Sequence, residues 1–264
     1  MSGRGNFNWS GWISFGLLLL VWELGSRSTP KLQAYFPPVS QIFVALCQSL
    51  VSGSIAKHCA FTLGRFFEGY GLAAALAVTL GVILGYFRFL HGLLEITIEI
   101  LRPMPSVAII PVAILLLGIG DSTIVAVTVY ASIWPVLINT IDGVRRVEPT
   151  LIDTGRTFGL TRRQILWWII LPGASPYIVT GLRIGLSIAL ILVTTAEMVA
   201  GSNGLGFFIL DEERAMNSAN MYGGIILVAL LGYSLNRLFL LVEARPMRWR
   251  HGMMARQEAK SARS

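Results

Sequence analysis

The chain has 264 residues, 54% of them hydrophobic and only 13% charged, about half the charge of a soluble domain. That excludes a soluble globular fold, and the absence of apolar–polar alternation excludes a membrane barrel. The net charge is +7, almost all of it from arginine; these charges lie between apolar runs, so positive-inside topology accounts for them better than nucleic-acid binding does.

In chain order, Gly5–Trp22 is the first charge-free run. It lacks a clear small-residue cleavage site and Glu23 follows directly, so it reads as a retained span and not a signal peptide. Residues 1–26 are therefore expected to be an N-terminal segment with the first transmembrane helix, and 27–61 a connecting segment. Cys47 and Cys59 are the only cysteines. They read as free apolar thiols, or as a pair if their segment faces an oxidising side. His58, His91 and His251 are isolated, without zinc-ligand spacing, so no metal site is expected.

The expected core runs over 62–243. Charge-free runs at Gly69–Phe87, Pro103–Gly120 and Ser122–Ile141, and apolar runs at about 175–200 and 221–242, each approach the ~20 residues of a helical crossing. The fold class is an all-α polytopic membrane protein of about six spans. On the second span Ala74, Ala77, Gly81 and Gly85 share a face, which predicts close helix packing.

Arg145, Arg146, Arg156, Arg162 and Arg163 cluster in 142–163, and the tail 244–264 is also basic. Both are expected in the cytoplasm. Gln164–Leu182 is long enough to span, but a crossing there would separate the two basic segments. The segment 164–171 is therefore expected along the membrane surface. The same logic puts the N-terminus inside, 25–65 outside, the loop 88–102 inside, and both the turn Gly118–Asp121 and the loop 202–220 outside.

Between spans four and five, Pro149 suits the first turn of a helix and Gly159 its C-terminal cap. A second helix follows at once: Thr161 and Gln164 form a capping box, and Leu160 staples onto Ile165. Pro172 is expected to stop it. This is a two-helix loop over 142–172, with Trp167 and Trp168 suited to the headgroup layer. Arg162 and Arg163 oppose the dipole of the helix they begin, by about 0.3–1 kcal/mol each when exposed. Lipid phosphate or an acidic partner protein would each account for them.

The spacing of Asp153-Thr154-Gly155, then Gly159, then Ile169, Leu171 and Pro172 resembles the Glu-Ala-Ala…Gly…Ile-x-Leu-Pro signature of ABC-importer permeases. Only the first triplet departs: the acid is kept and the next two residues stay small. The stretches "FPPVSQIFVAL", "HCAFTLGRFFEGYG", "LRPMPSVAIIPVAILLLGIG", "GLRIGLSIAL" and "AEMVAGSNGLG" resemble the nitrate/sulfonate/taurine-type branch. The likeness runs from residue 36 to about 250. It implies that this loop, including Arg156 and Leu160, docks on a separate cytoplasmic ABC ATPase. It also implies a pair of identical permease chains, a periplasmic solute-binding protein and a bacterial inner-membrane location with both termini cytoplasmic. No cofactor is expected in this chain, ATP and Mg belonging to the ATPase. None of the three lysines follows a glycine, so no P-loop exists here, and the chain is expected to be no enzyme.

Polar stripes mark two spans. At about 100° per residue, Arg183, Ser187, Thr194 and Glu197 fall within roughly 40° of one line, and Thr128, Ser132, Asn139 and Asp142 do the same. They read as a translocation path, or as hydroxyls bonded to their own backbone with Arg183 and Asp142 snorkelling. Arg102 and Arg183 are expected near the cytoplasmic mouth, and Glu197 near the outer end against a neighbouring helix. The expected function is import of a small anionic organic solute by alternating access. An ion-gradient-driven secondary transporter, an intramembrane enzyme, and an importer of a thiamine-type pyrimidine or aromatic acid are the alternatives.

Overall fold

The computed structural model describes residues 9–243; the expectations for 1–8 and for the basic tail lie outside the described residues. Within them every regular element is helical: α1 Trp9–Arg27, α2 Pro30–Tyr35, α3 Val39–Val51, α4 Ser54–Tyr86, α5 Arg88–Leu101, α6 Ile110–Leu117, α7 Asp121–Arg145, α8 Pro149–Thr157, α9 Arg162–Ile165, α10 Leu171–Ala200, α11 Leu205–Arg214 and α12 Ser218–Glu243.

The core is α7, clasped by α4 and α10. Glycines set these contacts, because without a Cβ two backbones approach closely. On α4, Gly69, Gly81 and Gly85 lie against Thr128, Thr140 and Val144 of α7. The pairs advance together, so the two helices are parallel. Gly181 and Gly185 of α10 lie against Asn139 and Val136, and Gly143 lies against Tyr177. Here one index rises as the other falls, so α10 is antiparallel to α7. One end of this block therefore holds Arg65, Asp121 and Glu197, and the other holds Tyr86, Arg145 and Ala174. The small-residue face of the second span does pack on α7: Ala77, Gly81 and Gly85 are buried there.

Five segments are long and apolar enough to cross a bilayer: Gln33–Val51, Ser54–Tyr86, Asp121–Arg145, Arg162–Ala200 and Ser218–Glu243. Arg88–Leu101 and Ser106–Leu117, bent by 90° at their junction, form a sixth if taken together. The first of the five is interrupted at residues 36–38, where Pro37 and Pro38 deny the helix two N–H donors. That leaves the 13 residues of α3, about 20 Å at 1.5 Å per residue, short of a hydrocarbon core of ~30 Å. The 19 residues of α1 reach about 28 Å and expose Leu17, Leu18, Leu20 and Val21. Length therefore favours α1 as the crossing element, while α3 seats Ile42 and Leu46 toward α12 and α4.

Several expectations need correction. The segment 88–102 is a helix and not a loop. Arg88, His91, Gly92 and Glu95 recur at i, i+3, i+4 and i+7 on one face, and most of the rest of α5, Thr97 and Glu99 apart, is apolar, with Phe89, Leu93, Ile96 and Ile100 exposed. Tyr130 donates a hydrogen bond to the Leu101 carbonyl at 2.8 Å, which puts Arg102 beside the middle of α7, not at the mouth. The loop 202–220 contains α11, and 27–61 contains α2, α3 and the start of α4. Pro172 does not end the second loop helix. A π-turn over Leu166–Ile170 widens the hydrogen-bond spacing just before it, so the missing proline N–H is accommodated. Arg162–Ala200 thus runs on as one helix of 39 residues. The segment 164–171 prolongs the span's axis instead of lying flat. By the α7–α10 pairing it stands beyond the level of Arg145.

Candidate functional site

Three places concentrate polar chemistry. The first is the segment after α7. Pro149 occupies the first turn of α8. At its end Gly159 adopts φ +77°, and the chain closes with Leu160 N donating to Gly155 O at 3.0 Å and Gly159 N to Arg156 O at 2.9 Å. This is a Schellman-type end, and it needs a residue without a Cβ. The capping box forms as the sequence predicts: Thr161 Oγ1 accepts from Gln164 N, and Gln164 Oε1 accepts from Thr161 N at 2.8 Å. Leu160, Ile165 and Ile169 join Val144 and Val147 in one apolar cluster.

Gly155, the departure from the signature, is buried here. A Cβ on it would sit 2.6 Å from Ile169 Cδ1, so glycine lets α8 lie close on the π-turn. Outward, Asp153, Thr154 and Arg156 are exposed, with Asp153 paired to Arg156 at 3.1 Å. Arg162, Arg163 and Pro172 are exposed, and Leu171 is half-buried. Leu151 and Phe158 are exposed apolar residues on the same small helix. Sequence reasoning passed over them because exposure is invisible in a greasy sequence.

The second place is a cleft of about 960 Å3 between α10 and α12. Thr180, Arg183, Ser187 and Thr194 form one wall, with Tyr233 and Asn236 opposite. Arg183 Nε donates to Asn236 Oδ1 at 3.3 Å. Arg183 has no carboxylate partner among the described residues. An arginine at the centre of a span costs about 2.5–3.5 kcal/mol on insertion scales, and here Asn236 is its hydrogen-bond partner among the described residues.

The α7 stripe is placed differently. Thr128 and Ser132 are fully buried, Thr128 Oγ1 donates to Ile124 O, and Asn139 Nδ2 donates to Pro135 O. These residues face α4 and α10. Asp142 is exposed near the far end.

The third place is the opposite end of the block. Glu197 is wholly buried and accepts from Arg65 Nη1 at 2.8 Å, from Thr62 Oγ1 at 2.9 Å and from Gly206 N at 3.0 Å. Arg65 also reaches Asp121 at 2.6 Å, and both the side chain and, at 2.8 Å, the carbonyl of Asn203. Leu205 N donates to Thr62 Oγ1, and Gly204 N to His58 Nδ1. This network pins the turn 201–206 onto α4. Glu197 therefore pairs with a neighbouring helix and lines no part of the cleft. Its side-chain partners on α4 lie 132 to 135 residues away, out of reach of any local pattern. Among the described residues no group of three histidines, cysteines or acids could hold a metal ion, and Cys47 and Cys59 are free.

Comparison with known proteins follows this geometry. Residues 77–248 match the family described as "Binding-protein-dependent transport system inner membrane component". The nitrate import permease protein NrtB of Synechocystis is 31% identical over 238 residues, covering 88% of this chain and 86% of that one. The taurine transport system permease protein TauC of Escherichia coli is 28% identical, covering 90% and 88%. The solved structure of the inward-facing MetNI methionine ABC transporter superposes with a TM-score of 0.64 at 20% identity, over 74% of this chain and 96% of that chain; it supports the fold alone. A match over well more than half the chain settles the relationship: this chain belongs to the binding-protein-dependent inner-membrane-component family, and it is a multi-pass ABC-importer permease and not an enzyme.

Proposed function

We propose that the chain imports a small organic or inorganic oxyanion by alternating access, as one of two identical permease subunits. A cytoplasmic ATPase supplies the energy, and a periplasmic binding protein delivers the solute. The end of the block that holds Tyr86, Arg145 and α8–α9 is the cytoplasmic end. The arginine clustering supports this, because Arg145, Arg146, Arg156, Arg162 and Arg163 all fall on that side.

The observation that carries the reading is the segment 149–165. A helix held by Pro149 and Gly159, stiffened by a capping box and anchored by Gly155 and Ile169, stands beyond the spans with Leu151, Asp153, Arg156 and Phe158 outward. That is a rigid knob for a groove on the ATPase. The solute class rests on the similarity to taurine and nitrate permeases and on Arg183, which makes no ion pair among the described residues although Glu243 also lines the α10–α12 cleft; an arginine on that wall favours an anion over a cation or a neutral pyrimidine. Ser187 adds a hydroxyl to the same wall, while Thr180 and Thr194 spend their hydrogens on the Pro176 and Leu190 carbonyls and offer only lone pairs. Thr128, Ser132, Asn139 and Glu197 serve this path indirectly, by fixing α7 and α10 in place.

One experiment with two arms tests both parts. Gly159→Val forces a β-branched residue to positive φ, costing roughly 1 kcal/mol or more. Permease levels in membranes should stay normal while ATPase pull-down and uptake fall. Arg183→Gln should keep the ATPase and lose uptake of the anion. Wild-type ATPase retention and transport by Gly159→Val would remove the coupling assignment; undiminished uptake by Arg183→Gln would remove the anion path.

A further inference from the structure

A second cavity, of about 1020 Å3, lies at the end of the block that carries α8 and α9, between them and α5. Arg88, Arg145, Arg156 and Arg162 line it, with His91, Glu95 and Asp153. The two acids are engaged: Asp153 with Arg156 at 3.1 Å, and Glu95 beside His91 at 3.9 Å. Arg88, Arg145 and Arg162 make no ion pair and no side-chain hydrogen bond among the described residues. Three uncommitted guanidinium groups therefore face one cavity. Nothing in the fold of this chain requires them there, and Arg162 opposes the dipole of the helix it begins.

The wall on the other side supplies the second observation. α5 is amphipathic. Its polar row Arg88–His91–Gly92–Glu95 turns into the cavity, while Phe89, Leu93, Ile96 and Ile100 on its other faces are exposed. Trp167 and Trp168, on the helix that continues from α9, are exposed, and indole rings suit a headgroup layer. A ligand that suits both surfaces carries phosphate at one end and hydrocarbon at the other. Basic pockets between transmembrane helices on the cytoplasmic side take such headgroups, and the guanidinium fork matches phosphate oxygens two at a time.

We propose that this cavity is a binding site for the headgroup of an anionic phospholipid, with its acyl chains along the apolar faces of α5. The site joins α5 to α8 and α9, so a bound lipid fastens the broken span to the coupling segment. The proposal rests on the cytoplasmic assignment of that segment made above.

The test uses the permease–ATPase complex in nanodiscs of phosphatidylcholine with and without phosphatidylglycerol, followed by delipidation in detergent and native mass spectrometry of retained lipid. Wild type should retain phosphatidylglycerol. The double variant Arg88→Gln/Arg145→Gln should bind it roughly thirtyfold more weakly, about fivefold for each charge lost at a membrane surface. Arg163→Gln removes the arginine next to Arg162 in sequence, which does not line the cavity, and should retain lipid as wild type does. Inorganic phosphate at matched concentration should not displace the lipid.

Equal retention by the double variant overturns the site. Displacement by inorganic phosphate assigns the cavity to a free anion and overturns the lipid. Lipid retained only when the ATPase is absent shows that acidic residues of the ATPase fill the cavity, and overturns it too. ATPase retention is scored separately in the same spectra: its loss from wild type would undo the coupling assignment, while the lipid comparison would still report on the cavity.

Discussion

Glu197 and Arg65 form the most consequential pair in the chain, with side chains 0% and 5% exposed. Asp121, the other acid on Arg65, is 70% exposed. Burial decides which bond matters. Removing one partner from a buried pair costs about 3–5 kcal/mol, because the other charge is left uncompensated. An exposed partner is worth about 1 kcal/mol or less. Glu197→Ala should therefore lower the thermal stability of the detergent-solubilised protein sharply, Glu197→Gln less, and Asp121→Ala hardly at all. A melting temperature for Glu197→Ala equal to that of Asp121→Ala would contradict this ranking. The sequence places Glu197 in a polar stripe and suggests a neighbouring helix as its partner, as found, but cannot name Arg65 and Thr62 as the groups it meets. Arg65 stands fifty-six residues before Asp121, and its charge made the outer third of α4 read as loop. Buried ion pairs defeat hydropathy because each partner, taken alone, argues against a span.

At the scale of elements, legibility follows the range of the forces involved. The turn at Gly159, the proline at the start of α8 and the Thr161–Gln164 box are local devices, each complete within four or five residues, and all were readable. α5 carried a helical period that its charges disguised. The passage through Pro172 was not readable, since a proline signals a stop unless a π-turn intervenes. Helix contacts sit between these cases. Gly81 belongs to a visible small-residue face, but the sequence cannot say what it meets. A Cβ there would lie 2.6 Å from Thr140 Cβ and 3.1 Å from Leu137 O, both without slack, whereas Gly71 on the same helix has nothing within 4 Å. Overpacking a close contact costs about 1–3 kcal/mol. Gly81→Leu should cut the yield of monodisperse permease, and Gly71→Leu should not; equal yields would mean that α4 and α7 separate easily.

For the whole molecule, sidedness is the quantity that joins the parts. In a background lacking Cys47 and Cys59, cysteines introduced as Arg162→Cys and Ser175→Cys should be shielded from an impermeant reagent in intact cells, and Glu213→Cys, at the exposed end of α11, should react. Labelling at 162 from outside would invert the molecule. The spans were legible in number because apolar length is a property of sequence. Their mutual arrangement was not, because it depends on glycines meeting side chains tens of residues away. That arrangement has a mechanical consequence. The helix Arg162–Ala200 has 39 residues, about 58 Å at 1.5 Å per residue, and it is continuous from the capped segment to the buried pair at Glu197. Bound to α7 along its Leu171–Ala200 part, it is fastened to the block over most of its length. A rotation of only about 10° sweeps one end past the other by roughly 10 Å over that length. Under the alternating-access cycle proposed above, angular gearing of this kind would let a modest swing imposed at one membrane face open or shut a solute-sized aperture at the opposite face.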